Sequence, residues 1–383
     1  MASFTITFAE NVLVYIKGVD VNDILVLSNG KILIGGDFYE VNGVTMYNLC
    51  LLNSDGTVDT SFSPGTSTDG PVNCLMAGST FGTFVGGDFS TYQGTSTGPL
   101  IKIDNTGNRI TSFSANGTST YQNSVYALNM VQRTTGTYEY LIVGGDIYEY
   151  RNSSVEGLFV VREDTGELLR NLGSLILPPG ENTLSIRAIH KSNNKLFFGG
   201  SFIVGEPLLG EVSDTVITSG TGSPGVLTDQ HPSSFTNIKG VFSLNEVGDT
   251  LLIGCEEQES GGTSFAASII CVDNENFSTS TTNRLSPYGT SPGGERIKVN
   301  RISSNPNTEV IYASTTVPTG DSGPGIRGVR FILSKTGTNL TTVSTANMGR
   351  QCLVTTYHDY TNSLYTGVQA INNGDQLLHL TQL

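Results

Sequence analysis

The chain has no tryptophan, few charges and an especially small share of positive ones. Only 14% of its 383 residues are charged, and 34 acidic side chains against 20 basic ones leave a formal charge of −14. Charge this sparse, against about 25% in an ordinary globular chain, excludes a coiled coil or a charged helical bundle. No cluster of Lys or Arg offsets the deficit locally, so nothing is available to neutralise phosphates. Nucleic acid and anionic membrane are therefore not expected as partners. No apolar run approaches the ~20 residues that span a bilayer, so no membrane insertion is expected. The opening MASFTITFAENVLVYIKG lacks the basic start and unbroken apolar stretch of a secretory signal. Cysteine is scarce as well. Cys50, Cys74, Cys255, Cys271 and Cys352 are odd in number and form no C-x-x-C pair, which argues for small buried residues and against a disulfide framework or zinc knuckle.

Catalytic and cofactor patterns are missing in the same way. There is no H-E-x-x-H, no P-loop and no EF-hand loop, and His190, His231, His358 and His379 show no ligand spacing. Glu256, Glu257 and Glu259 form a local acidic cluster with no partner that the sequence can assign. These absences predict a non-enzymatic chain without cofactor or metal.

What is present is glycine and repetition. ILIGGDF ends at Phe38, TFVGGDF at Phe89, LIVGGDI at Ile147 and LFFGGSF at Phe202; weaker copies are LLIGCEE from Leu251, VIYASTT from Val310 and LYTGVQA from Leu364. Taking Gly35, Gly86, Gly144, Gly199, Gly254, Ala313 and Gly367 as equivalent, the spacings are 51, 58, 55, 55, 59 and 54. Each unit has a short apolar segment and turn before the glycines, and a polar loop and alternating segment after them, as in LCLLNSDGTVDTSF from Leu49. Alternation bounded by N-G, D-G and T-G turns marks strands and hairpins, and no window sustains a 3.6-residue period.

Four short strands per unit, repeated along the whole chain, predict a single all-β domain over residues 1–383: a seven-bladed β-propeller of four-stranded antiparallel blades. The last unit stops at LLHLTQL, a third strand without a fourth. Aligning Val21-Asn22 with Val72-Asn73 assigns Ile6 to Val12, within residues 4–14, as the missing fourth strand, closing the ring beside Leu377 to Leu383. The paired glycines are expected where a strand is bulged or backbones approach closely. After them, Asp37, Asp88, Asp146, Ser201, Glu256, Thr315 and Gln369 form a polar position. We read these side chains as bonding their own turns, in preference to a carboxylate ring for a cation.

The string DILVLSNGKILIGGDFYEVNGVTMYNLCLLNSDGTVDTSF resembles the delta-60 repeat, a propeller-forming repeat of bacterial and phage proteins. The resemblance rests on Asn29-Gly30-Lys31, Gly35-Gly36-Asp37-Phe38, Gly43, Asp55-Gly56 and Asp59-Thr60-Ser61-Phe62. It continues through Gly86-Gly87-Asp88-Phe89 and Gly144-Gly145-Asp146 and fades beyond about residue 150. It implies a propeller acting as an interaction module, with no common catalytic set.

In a propeller, links from the second to the third strand and from blade to blade share one face, and hairpin turns share the other. The turns here are compact, whereas long insertions are expected on the first face: after Phe202, from Ala115, from Ser286 and from Thr315. Long loops on a rigid scaffold bind partners. The interaction residues expected on this face are Val204, Glu206, Asp214, Asp229, Tyr288, Asp321 and Arg327. A Ser/Thr/Asn/Gly-rich surface without an export signal fits release by host lysis within a virus particle. The functional expectation is a structural docking component of a phage virion, of the tail or its appendages, bound to other virion proteins. The alternative is a propeller that binds, or less favourably cleaves, a host surface glycan through Tyr47, Tyr92, Tyr121, Tyr126, Tyr148, Tyr150 and Tyr288.

Overall fold

The computed structural model describes residues 12–79, 81–115, 123–132, 139–177, 184–202, 207–220, 222, 225–226, 237–258, 265–273, 283–285, 290–291, 298–305, 310–315, 329–336, 339–347, 352–358, 363–369 and 375–382. Among these the chain is almost entirely antiparallel β, with one α-helix, Asp214–Ser219, and one 3-10 turn, Gly173–Leu175.

The strands form successive meanders. Val72–Ala77, Thr83–Gly87 and Leu100–Ile103 make one sheet, and Ser124–Val131, Tyr140–Asp146, Leu158–Arg162 and Leu168–Asn171 the next. Then come Leu184–Ser192, Lys195–Phe202, Pro207–Ser213 and Gly225–Val226, followed by Ile238–Val247, Thr250–Gln258, Phe265–Asp273 and Asn283–Leu285. Val299–Asn305, Val310–Thr315, Val329–Thr336 and Asn339–Asn347 form another.

The remaining sheet joins the two extremes of the chain. Cys352–His358, Ser363–Gln369 and Asp375–Gln382 lead onto Val12–Val26, which in turn pairs with Ile32–Val41. Within that long strand Val12–Lys17 pair with Leu380–Asp375, and Val21–Val26 pair with Gly36–Ile32. The pairing segment thus falls later than the expected Ile6–Val12; residues 1–11 lie outside the described residues. Period-two burial accounts for the choice, because Val14 and Ile16 are buried while Tyr15 and Lys17 face solvent. The first strand of each meander neighbours the first strand of the next, and Cys352–His358 neighbours both Val299–Asn305 and Val12–Val26.

The core lies in layers between consecutive sheets. Ile142, Leu158 and Val160 of one sheet pack on Ile186, Leu196 and Phe198 of the next, and Phe197 and Leu209 pack in turn on Val241, Leu251 and Ile253. Strands buried on both faces explain why segments such as Leu158–Arg162 read as continuous apolar runs.

A bulge interrupts each first strand at the same place. The register skips Asn22, Asn73, Tyr126, Arg187, Phe242, Asn300 and Leu353, always opposite the glycine-pair position of the second strand. This explains the second glycine. A Cβ on Gly36, Gly87, Gly145 or Gly200 would stand 2.0, 2.2, 2.0 or 1.8 Å from the carbonyl oxygen of Asp20, Pro71, Ser124 or Ser185 in the bulged strand. The first glycine answers to the neighbouring sheet. A Cβ on Gly35, Gly86, Gly144, Gly199 or Gly254 would stand 2.4–2.7 Å from a branched methyl of Val72, Val125, Ile186, Val241 or Val299. In the remaining three repeats Cys255, Ser314 and Val368 stand at the second-glycine position, and the bulge is retained opposite them.

One polar contact is sunk between sheets. Lys102 and Glu163 pair at 3.0 Å with side chains 7% and 5% exposed, and Glu163 also accepts from the Ser79 N–H and hydroxyl. The Lys102 ammonium lies 4.7 Å from the centre of the Phe84 ring.

Three outcomes follow for stability. Gly144→Val and Gly200→Ala should each cost on the order of 1–3 kcal/mol or more through overpacking, read as a lowered Tm. Gly43→Asn should cost less than either, since a Cβ there meets nothing within 4 Å and Asn152 already occupies the equivalent turn position at φ +64°, although φ at Gly43 is +80°. Glu163→Gln, which leaves the buried Lys102 without a counter-charge, should destabilise by about 3–5 kcal/mol in urea unfolding.

Candidate functional site

The bulges carry side chains to where the first strands converge, and a cavity of about 250 Å³ lies there. Its walls come from Val12–Val26, Val72–Ala77, Ser124–Val131, Leu184–Ser192, Ile238–Val247 and Val299–Asn305. Three bulge residues, Tyr126, Arg187 and Phe242, line it directly. An extra residue in a strand re-aims a side chain, so the irregularity opposite the glycine-pair position also builds this lining.

Two guanidinium groups dominate its polar chemistry. Arg301 Nη2 donates to Asp23 Oδ1 at 2.5 Å; that carboxylate also accepts the Ile24 N–H at 3.0 Å and, on Oδ2, the Leu75 N–H at 2.8 Å. Burial pushes the Asp23 carboxyl above its ordinary pKa, opposed by Arg301 and by these two N–H groups. Arg187 stacks 3.7 Å from the centre of the Tyr126 ring, donates from Nε to Ser185 Oγ at 2.9 Å and from Nη2 to Asp146 Oδ2 at 3.2 Å. Leu128, Ile189, Leu244 and Ile302 supply the apolar part of the wall.

Asp20 stands near Asp37 and Lys298. Burial raises its pKa to about 6; the Asp37 charge adds to this and Lys298 opposes it. Its Oδ1 is buried without a hydrogen bond among the described residues. The polar position after the glycines does not behave as the sequence suggests at Asp146, which bonds Arg187 of the next sheet instead of its own turn. Among the described residues no group of three or more His, Cys, Asp or Glu could hold a metal.

Of the expected interaction residues, Val204, Glu206, Asp229, Tyr288, Asp321 and Arg327 lie outside the described residues. Asp214 is described, and it is not on a second-to-third-strand loop. Pro207–Ser213 is itself the third strand, paired with Lys195–Ser201, and the described residues that follow it, Asp214–Ser219, are helix. Asp214 begins the helix that follows it; its N–H bonds Asn194 O in the adjacent hairpin turn and its carboxylate pairs with Lys191 at 3.2 Å. It therefore belongs to the hairpin-turn face. The Leu208, Leu209 and Val212 side chains, all buried, fix this strand, and the sequence reading took their Gly- and Pro-flanked segment for loop.

The tyrosines divide. In the first three repeats the second-to-third-strand link is a small hairpin whose turn has positive φ at both central residues: Asn42 and Gly43 (49° and 80°), Gln93 and Gly94 (50° and 72°), Arg151 and Asn152 (49° and 64°). Tyr92 and Tyr150 are buried under these hairpins, donating to Gly107 O at 2.5 Å and Gly166 O at 2.7 Å. Tyr39, Tyr47 and Tyr148 are exposed on the same hairpins or their flanks, and Tyr121 and Tyr288 lie outside the described residues. Gly94-Thr95-Ser96-Thr97-Gly98 has the form G-x-S-x-G, but Ser96 sits on an exposed two-stranded hairpin and not on a strand-to-helix turn. His190 Nε2 lies 3.3 Å from Glu246, which also accepts from Ser192; this is a contact between sheets.

Sequence reasoning missed Asp23, Arg187, Phe242 and Arg301. A usable signal exists in the residue after the buried Val or Ile of each first strand, where Asn22, Asn73, Tyr126, Arg187, Phe242 and Asn300 stand in register.

Comparison with known proteins bears on the fold. A family model described as a domain of unknown function (DUF5122) beta-propeller matches residues 27–62. No curated protein matches the chain. Among solved structures, the chain is similar to Kuenenia stuttgartiensis hydrazine synthase, with 9% identity and a TM-score of 0.59 over 100% of this chain and 99% of that one. It is similar to U3-55K, with 9% identity and a TM-score of 0.57 over 97% and 98%. It is also similar to the extracellular domain of BT4673 from B. thetaiotaomicron, with 13% identity and a TM-score of 0.55 over 97% of this chain and 40% of that one, so it spans about two fifths of that relative. These likenesses and the nearly all-β sheets make the fold a β-propeller.

Asp20 offers a test of the local electrostatics. A carboxyl raised from 3.8 to about 6 in the folded state holds its proton more tightly than in the unfolded chain, so stability is lost as pH rises through that window. Asp20→Asn should therefore raise Tm at pH 7.5 and leave it unchanged at pH 3.5, as thermal unfolding at the two pH values will read.

Proposed function

We propose that the protein is a non-catalytic docking module of a virus particle: a seven-bladed, delta-60-like propeller, closed through Val12–Lys17, that binds other virion proteins through the face bearing its second-to-third-strand hairpins. The observation that carries this reading is the set of exposed large side chains there. Tyr39, Tyr47 and Val44 protrude from the first hairpin and its flank, Tyr15 and Val19 from the strand beside it, and Tyr148 from the third hairpin at the position equivalent to Tyr39. Exposed aromatic side chains held on rigid hairpins are the residues that dominate protein–protein contacts. Burial of Tyr92 and Tyr150 removes two of the platforms a glycan would use, which favours docking over glycan capture.

The closed ring is supported by the sharing of one strand between the last and first meanders and by the succession of neighbouring first strands. The setting in a virion rests on the Ser/Thr/Asn/Gly-rich, Lys-poor composition.

Sedimentation of a native source lysate, with the chain followed by mass spectrometry, tests the proposal. The chain should travel with virus-sized particles in high salt, and a Tyr39→Ser/Tyr148→Ser variant should shift to the free fraction while keeping its Tm. Recovery of the wild-type chain only among free proteins would overturn the reading.

A further inference from the structure

We propose that the central cavity is a binding site for a small organic monocarboxylate, held by the guanidinium groups of Arg187 and Arg301. This goes beyond docking, since it concerns the cavity and not the hairpin face.

Charge is the first argument. The chain carries −14, yet the ionised residues lining the cavity are Asp23, Arg187 and Arg301, a local excess of one positive charge. Asp146, outside the lining, pairs with Arg187 at 3.2 Å, so the two guanidinium groups and their two carboxylate partners are about balanced, in a chain that is otherwise strongly acidic. A site so balanced takes up one added negative charge more readily than the two of a dianion such as phosphate.

Unused donors are the second. Arg301 spends Nη2 on Asp23, leaving Nε and Nη1 without a hydrogen bond among the described residues. Arg187 spends Nε and Nη2, leaving Nη1 likewise. Their side chains are 40% and 34% exposed, so these donors are reachable from solvent. Guanidinium N–H groups in a fixed fork suit carboxylate oxygens. Both forks are already held, one by the buried Asp23 carboxylate and the other by stacking on Tyr126, so little ordering remains when a ligand arrives.

Shape is the third. A cavity of about 250 Å³ has room for a small molecule. Leu128, Ile189, Leu244 and the Phe242 ring supply apolar wall that an inorganic ion would leave unused.

The test is calorimetric titration of the full chain with acetate, butyrate, benzoate, cyclohexanecarboxylate, the matching amides and inorganic phosphate. At least one carboxylate should bind saturably, its amide at least tenfold more weakly, and phosphate more weakly than that carboxylate. Arg187→Gln should weaken the same carboxylate about tenfold or more, the effect of losing one charge-assisted bond. Arg301→Lys keeps a cation beside Asp23 and should also weaken binding; it replaces Arg187→Gln if that variant does not fold. No saturable binding by any carboxylate, equal binding of acid and amide, tighter binding of phosphate, or unchanged affinity in a folded arginine variant would each overturn the proposal.

Discussion

The first four repeats share a steric constraint on which their sheets depend: a bulged strand brings one backbone carbonyl toward its neighbour, and the neighbour has no side chain where that oxygen arrives. Between Ser185 O and the position of a Cβ on Gly200 there is 1.8 Å, far below any contact distance. The other glycine of each pair leaves room for a branched side chain of the adjoining sheet, as Gly199 does for Val241. One dipeptide therefore fixes geometry within a sheet and spacing between sheets. Glycine costs conformational entropy in a strand, and its recurrence indicates that this cost is offset by packing.

Around that constraint, neighbouring sheets are joined by polar contacts as well as apolar layers. Asn22 and Asn73, themselves bulge residues, donate to Val72 O at 3.0 Å and Val125 O at 3.2 Å on the next first strand. The following position repeats the theme, for Asp23 accepts the Leu75 N–H and Ser243 the Ile302 N–H, both at 2.8 Å. Lys102 with Glu163 and His190 with Glu246 extend these ties outward. The cavity is thus lined by residues whose backbones are already restrained, which suits a preformed site.

Much of the fold was legible in the sequence because repetition multiplies a weak signal: the glycine pairs mark the second strands, and alternation marks the others. The pairing of Val12–Lys17 was displaced by several residues, because the alternating pattern of the N-terminal segment fits more than one register and only tertiary burial selects one. Pro207–Ser213 was read as loop because glycines and prolines flank a strand whose apolar residues face both sides. The cavity was the least legible part. Asp23, Arg187 and Arg301 lie in different repeats, and nothing in linear spacing says that a bulge turns Arg187 inward or that Arg301 meets a carboxylate 278 positions away.

The strand Val12–Val26 also bears on the kinetics of folding. Val12 and Leu380 are partners across 368 positions of chain, so that pairing cannot begin until nearly all of these residues have been synthesised. Loop-closure entropy grows only as the logarithm of length, so the delay is one of timing more than of free energy. The intervening meanders, being local, can form while the chain emerges, and the early strand waits with one edge unsatisfied for a partner made more than 350 residues later. During translation that waiting edge is the place where the nascent protein is most exposed to pairing with a second copy of itself.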